Sequence, residues 1–409
     1  MKKLIAVAAM SFAAPLAMAQ SVQIYGVLDA GLSRVTGMAG GTQNALVSGI
    51  MDGSRLGFKG EEDIGGGYRA LFTLESRLEV DTGGISNRPG SGSQLPDRFT
   101  SAPLLGLFPA LQPAVSGVAA NIGRSLGVNL DGRFWDRQSY VGLVTPVGAV
   151  LAGRQYTPGY EIAATFDTTQ TQSSLAAGQV GSFPATVDIR LSDTLAYRIV
   201  FKGLSAVVMV GLDEGSSTTG KFFGANAIYK TGAYSVGVGY NTRENELGQK
   251  SLTSTLVGAT ADLGPGTLVG QFAMFKDDHP TGLSTIAGLL IPVTGAATAQ
   301  VVQNAFVSAA RQDSRLYHLG YRLPLGAFKL YAAYTSLDDR LGSNSDTASF
   351  GAVLSYAFSK RTDLNVALTR FNNKNLAQAA PGQAGMLGGV TASAGTDSNA
   401  FSIGVRQRF

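Results

Sequence analysis

From Gly53 to Val80 the chain reads GSRLGFKGEEDIGGGYRALFTLESRLEV, and apolar and charged positions alternate through most of it. In the first half Leu56 and Phe58 share one face, and Arg55, Lys59 and Glu61 share the other. In the second half Ala70, Phe72, Leu74, Leu78 and Val80 line one face, opposite Arg69, Thr73, Glu75, Arg77 and Glu79. Successive side chains of a strand point to opposite faces. The stretch therefore predicts a hairpin with one mainly apolar face and one charged face, turning at the glycines before Tyr68. A soluble sandwich with its charges in water carries the same signature. Repetition along the chain and context at its ends separate the two.

The repetition is there. Val22 to Val35 puts Val22, Ile24, Leu28, Ala30 and Leu32 opposite Gln23, Tyr25 and Asp29. Phe134–Val144 and Ala149–Tyr156 meet around Thr145-Pro-Val-Gly148. Further pairs meet at Lys202-Gly203, Lys230–Gly232, Asp262–Gly266, Pro324–Gly326 and Ser359–Thr362, and a last strand runs from Asn399 to Phe409. Tyr234, Val236, Val238 and Tyr240 oppose Ser235, Gly237, Gly239 and Asn241, and Phe401, Ile403 and Val405 oppose Ser402, Gly404 and Arg406. The spacing predicts about sixteen strands of roughly ten residues, joined alternately by short turns and long loops, with aromatics near strand ends. That is the signature of a transmembrane β-barrel. In a bilayer a closed barrel satisfies every backbone group and leaves no edge. An even count places both termini at the short-turn end. The segment Asp81–Arg133 is too long for a structureless loop, so part of it, around Pro113–Leu126, is expected to be helical.

Composition agrees. Of 409 residues 44% are apolar and 15% charged, against about 25% charged in soluble domains. There are 53 glycines and 14 tyrosines but one tryptophan, Trp135. After the N-terminus no apolar run approaches the ~18 residues of a spanning helix. Without cysteine there is no disulfide, thiolate metal site or cysteine nucleophile. The net charge of +4 is too small to imply nucleic-acid binding.

Residues 1–19 read as an export signal. Met1-Lys-Lys is a positive start, Leu4–Leu16 a short apolar core and Ala17-Met-Ala19 a small-x-small cleavage site. Residues 20–409 are then a single barrel domain. A membrane-spanning helix is the alternative, but the run is short and no stop-transfer charges follow it.

Several segments together resemble the Gram-negative general porins, especially those of beta-proteobacteria. They are Ser21–Gly31 (SVQIYGVLDAG), Gly53–Gly67 followed by Ala70–Glu75, Asp136–Leu143 (DRQSYVGL), Gly153–Tyr156 (GRQY) and Gly404–Phe409 (GVRQRF). The resemblance implies an all-β, 16-stranded antiparallel transmembrane barrel with short periplasmic turns and long extracellular loops. The third loop, here about Thr157–Asp188, would fold inward. It further implies a homotrimer in the outer membrane, surrounded by lipid and lipopolysaccharide, passing small hydrophilic solutes without a cofactor. The terminal Phe409 would be the signal read by the outer-membrane assembly machinery. At the constriction it places Arg55, Arg137 and Arg190 on the wall, Arg154 at a motif position, and Glu161 and Asp167 as the acids on the loop. The Pro-Glu-Phe-Gly loop motif of enterobacterial porins is missing, which leaves the acidic side of the constriction open.

Parity puts Arg55, Arg69 and Arg77 in the lumen, with Lys59 and Glu75 on the same wall. Arginine stays charged and presents a fixed fork of donors, and rings of charge at a narrow point sort ions by sign. Arg69 and Arg77 also read as partners of Glu61, Glu75 and Glu79 on a solvated wall. Mild anion preference is the expectation.

An enzyme is disfavoured. His279 and His318 are the two histidines, and neither sits in a nucleophile, metal or phosphate motif. The Glu61-Glu-Asp63 cluster reads as turn chemistry, and no metal site is expected. A surface adhesin or receptor on the long loops and a substrate-specific channel are the remaining alternatives.

Overall fold

The computed structural model describes residues 21–85, 133–171, 173–176, 188–212, 220–382 and 387–409. The expected leader and the expected helix at Pro113–Leu126 lie outside these residues.

The strands in chain order are β1 (Ser21–Met38), β2 (Gly41–Ser48), β3 (Arg55–Gly65), β4 (Tyr68–Arg77), β5 (Gln138–Thr145) and β6 (Gly148–Tyr156). After helix α1 (Pro158–Thr165) come β7 (Arg190–Phe201), β8 (Leu204–Gly211), β9 (Phe222–Thr231), β10 (Tyr234–Glu244), β11 (Lys250–Leu263) and β12 (Gly266–Asp277). A helical hairpin, α2 (Ile286–Thr294) and α3 (Ala296–Ala310), precedes β13 (Gln312–Leu325), β14 (Phe328–Asp339), β15 (Thr347–Ala357) and β16 (Thr362–Asn373). Two short strands, β17 (Ala379–Pro381) and β18 (Leu387–Val390), pair with each other before the final β19 (Ser398–Arg408).

Every wall pairing is antiparallel, and β19 pairs with β1 to close the sheet. At the seam the backbones of Gly26 and Phe409 exchange two hydrogen bonds, 3.1 and 3.2 Å long. The short turns, at 202–203, 264–265 and 326–327 among others, share one end of the barrel with Ser21 and Phe409.

The barrel has sixteen wall positions, and seventeen hydrogen-bonded strands fill them. The extra strand arises because the second wall position is broken in two. Residues 21–27 of β1 pair with β3, and residues 30–38 pair with β2. Between those halves, residues 49–54 leave the wall. The hairpin expected over Gly53–Val80 is present as β3 and β4, which end at Arg77, short of Leu78 and Val80; β2 upstream of it was not expected. Its sequence, GTQNALVS, alternates weakly.

The apolar faces point outward, as the alternation requires. Val22, Ile24 and Leu32 of β1, Tyr234, Val236 and Val238 of β10, and Phe401, Ile403 and Val405 of β19 are all exposed on the outer wall. Near the short-turn end Phe328, Tyr356 and Phe358 pack ring to ring at 4.8 and 5.1 Å, an aromatic girdle of the kind found at a membrane interface. No described helix is long and apolar enough to span a membrane; the strands do that.

Candidate pore constriction

The loop after β6 turns into the barrel. Its neck is closed by the Thr157 N–H, which donates to Ile189 O at 3.1 Å. Thr157 also caps α1 by accepting the Tyr160 N–H, and Pro158 occupies the first turn, where its missing donor costs nothing.

A seam of glycines on the inner wall seats α1. Gly237 and Gly239 of β10 and Gly258 of β11 face Ile162 and Phe166, and a Cβ on any of them would collide with these side chains. Ile162 and Phe166 are buried against Leu256, Phe275, Leu316, Leu337 and Phe371. Polar lumen residues then pin the backbone. Asn241 accepts the Gly159 N–H at 2.8 Å and donates to Thr157 Oγ1 at 3.0 Å. Gln271 donates to Ile162 O at 3.0 Å.

Beyond α1 the loop continues along the same wall. His318 Nε2 accepts the Thr168 N–H at 3.2 Å, which places the ring proton on Nδ1, where it donates to Thr335 Oγ1 at 2.7 Å. Arg322 donates to the carbonyls of Thr168 and Asp167 at 2.7 and 2.8 Å. Farther on, Thr369 donates to Leu175 O, and Ser174 bonds Gly382 beside β17. The described part of the third loop thus lines the wall from β9 to β16, across from the wall from β3 to β7.

Against that wall lies a cavity of about 350 Å³. Arg55, Arg77, Arg137 and Arg190 line it on the wall side, with Tyr156. The loop contributes Tyr160, Glu161, Ala164, Thr165, Gln170 and Thr171. The acids among these lining residues are Asp52 and Glu161. In the sequence, nothing between Asp167 and Asp188 carries a charge.

The arginines are held in place by one another's partners. Arg137 Nε donates to Glu75 at 2.6 Å, and Arg55 Nε approaches the other Glu75 oxygen at 3.6 Å. Tyr25 donates to the same carboxylate at 3.0 Å; Gly57 lies between them in register, where a Cβ would strike the Tyr25 ring. Arg137 and Arg190 both donate to the Tyr156 hydroxyl, at 2.8 and 3.1 Å, and Arg190 also lies over the Tyr156 ring. Tyr156 stacks on Tyr160 with ring centres 5.2 Å apart. Arg55 reaches Asp52 at 2.7 Å and Gly53 O at 2.9 Å.

Of the residues picked from sequence, Arg55, Arg137, Arg190 and Glu161 line this cavity together. Arg137 sits just before β5 rather than within it. Arg154 does not line the cavity; it donates to Asp136 O at 2.6 Å and Ser192 Oγ at 3.1 Å. Glu161 is engaged by Arg198 and by Asn226, the latter at 2.9 Å. The buried Asp167 accepts from Thr169 and the Thr171 N–H, and its side chain does not line the cavity. Arg77 lines the cavity and pairs with Glu79. Arg69 pairs with Glu61 away from it, and Lys59 lies 5.3 Å from the Tyr25 ring. The loop acid Glu161 thus shares the cavity with Asp52, which comes from the segment that leaves the wall, while Glu75 on β4 pairs with Arg137 and faces Arg55. Asp52 carries no signal of its own in the sequence, because it precedes the alternating stretch. Tyr156 is visible there only as the end of the GRQY motif, and neither its spacing nor that of Tyr160 marks a place at the cavity.

A sequence model described as Gram-negative porin matches residues 6–376. The chain belongs to the Gram-negative porin family. This porin is 40% identical over 87 residues to the outer membrane porin protein 32 of Delftia acidovorans, covering 21% of this chain and 24% of that one. It is 38% identical over 73 residues to the major outer membrane protein P.IB of Neisseria meningitidis serogroup B, covering 17% and 22%. The matched stretches thus span about a quarter of each relative's length. Over the whole barrel, the porin superposes on an anion-selective porin from Comamonas acidovorans with TM-score 0.66 at 20% identity, covering 95% of this chain and 100% of that one. The trimer form of OmpT from Vibrio cholerae superposes with TM-score 0.58 at 13% identity, covering 95% and 99%. Family and barrel together make this porin an integral protein of the outer membrane.

Proposed function

We propose that this porin is a water-filled channel for passive diffusion of small hydrophilic solutes and ions, and that its constriction favours anions. One observation carries the reading: four arginines line the narrow point against two carboxylates, both of which are ion-paired. Charge at a constriction biases access by sign, and a lining without an enclosed pocket lets the solute leave. The likeness to a porin described as anion-selective supports the same sign. No enzymatic step is assigned to it. The working form is a homotrimer, as one superposed porin is described, set in lipid and lipopolysaccharide. Residues 1–19 are removed on export, and the C-terminal strand ending in Phe409 is read by the assembly machinery. The test is conductance and reversal potential of the refolded protein in a planar bilayer under a salt gradient. A stable conductance with an anion-favouring potential supports the reading; a folded barrel that does not conduct overturns it.

A further inference from the structure

The break in the second wall strand is organised around one buried residue on β1. Asp29 Oδ1 accepts the Ile50 N–H at 3.1 Å, and Oδ2 accepts those of Met51 and Asp52 at 2.9 and 2.8 Å. The two ends of the break close on the same residue. The Gly49 N–H donates to Asp29 O at 2.7 Å, and Ser54 Oγ accepts from Asp29 N and donates to Asp29 O. Three successive N–H groups turned toward one carboxylate form an anion-holding concavity, here filled by the protein's own side chain. A hydrogen-bonded β-ladder would have spent those donors across the sheet. Asp29 instead holds them inward, and the segment they belong to enters the lumen.

What the segment carries is a constriction side chain. Asp52 lines the narrow cavity and pairs with Arg55 at 2.7 Å, while Gly53 O accepts from the same guanidinium. Ile50 and Met51 point the other way and bury against Leu175 and Ala176 of the third loop. Asp29 itself is only 1% exposed and does not line the cavity.

We infer that Asp29 is a positioning residue for ion selectivity: it fixes the Asp52–Arg55 pair at the constriction without meeting the permeating ion. This rests on the constriction reading above. An asparagine at 29 keeps one acceptor and turns an NH2 group against N–H donors, so the segment loses its clasp. Arg55 is then less neutralised.

The experiment compares wild type, Asp29→Asn, Asp52→Asn and the double variant, each first shown to be a folded barrel by its heat-shifted electrophoretic mobility. Reversal potentials give the anion-to-cation permeability ratio. Asp52→Asn is expected to raise the ratio by about twofold, the scale of one charge at a narrow point. Asp29→Asn is expected to raise it by less and to add nothing on the Asp52→Asn background. A role confined to stability would lower yield and leave the ratio alone. Asp29→Asn at the wild-type ratio, or a shift that adds in full to that of Asp52→Asn, overturns the inference. An unchanged ratio in Asp52→Asn overturns the constriction reading as well. Should Asp29→Asn not fold, amide exchange in the wild type decides. The Ile50, Met51 and Asp52 amides are expected to be protected, and exchange at the rate of an open loop overturns the clasp.

Discussion

Arg137 and Glu75, 62 positions apart in sequence, meet at 2.6 Å on the barrel wall, and the same carboxylate faces Arg55. Both side chains of the pair are nearly buried, at 10% and 5% exposure. Glu75 therefore does two things at once. It neutralises part of the arginine cluster, and it keeps two guanidinium groups close together beside the passage.

Replacing Glu75 with Gln is expected to raise anion preference and to weaken the barrel. Removing one partner of a buried pair typically costs about 3–5 kcal/mol. Reversal potential reads the first effect and the temperature of the heat-induced mobility shift reads the second. A Glu75→Gln channel with wild-type selectivity would mean that the arginine cluster does not act on permeating ions.

The glycine seam makes a separate prediction about pore size. Gly258→Val adds a Cβ that would lie 2.3 Å from the Phe166 ring, and two methyl groups beyond it, and overpacking of this kind costs about 1–3 kcal/mol. The loop is pushed toward the arginine wall, so single-channel conductance falls. Phe166→Ala removes the anchor instead, at about 3–5 kcal/mol, and the open-channel current becomes noisier. Equal conductance and noise in all three channels would show that α1 does not set the bore.

His318 holds the loop through its unprotonated Nε2. His318→Gln can offer an acceptor there, whereas His318→Ala cannot. Current noise near the wild-type level in His318→Gln and raised noise in His318→Ala is the expected pair of results. Matching traces from the two variants would count against the anchor.

Outside the membrane span, Glu246 in the turn between β10 and β11 ties the α2–α3 loop. Burial works against its charge, but the N–H of Gly282 and the hydroxyl and N–H of Ser284 outweigh it, and the carboxyl is held below its ordinary value. A carboxyl depressed in the folded state adds stability above its unfolded pKa and loses it as pH falls through the folded one. Limited proteolysis of segment 278–311 should thus stay flat at neutral pH and rise only below pH ~4. Glu246→Gln should show the faster cleavage already at neutral pH.

The wall was legible because alternation is a local property of ten-residue stretches. Each short turn from Lys202-Gly203 to Ser359–Thr362 falls where the polar and glycine positions put it. Parity put Arg55 and Arg77, and the motif resemblance Arg137 and Arg190, on the side of the barrel where the structure places them around one cavity; Arg154, picked by the same resemblance, lies off it. The seat of the third loop was not, since it depends on Gly237, Gly239 and Gly258 meeting Ile162 and Phe166 across distant parts of the chain. Gly237 and Gly239 stood out opposite the apolar face of their strand, but parity does not say what fills the space. The acids were legible in part: Glu161 lines the cavity as the resemblance suggested, Asp167 does not, and Asp52 reaches it through a break in the second wall strand that alternation does not reveal. Helix α3 carried a readable signal, with Ala299, Val302, Phe306 and Ala310 at helical spacing and all buried, in a segment that alternation alone leaves blank.

The most direct test of the account is the reversal potential of the Arg55→Gln/Arg137→Gln channel beside that of the wild type, in the same salt gradient. The account predicts an anion-favouring potential for the wild type and a shift toward cations in the double variant, by severalfold in permeability ratio, on the order expected for two charges at a narrow point. A double variant that folds, conducts and keeps the wild-type potential would contradict it.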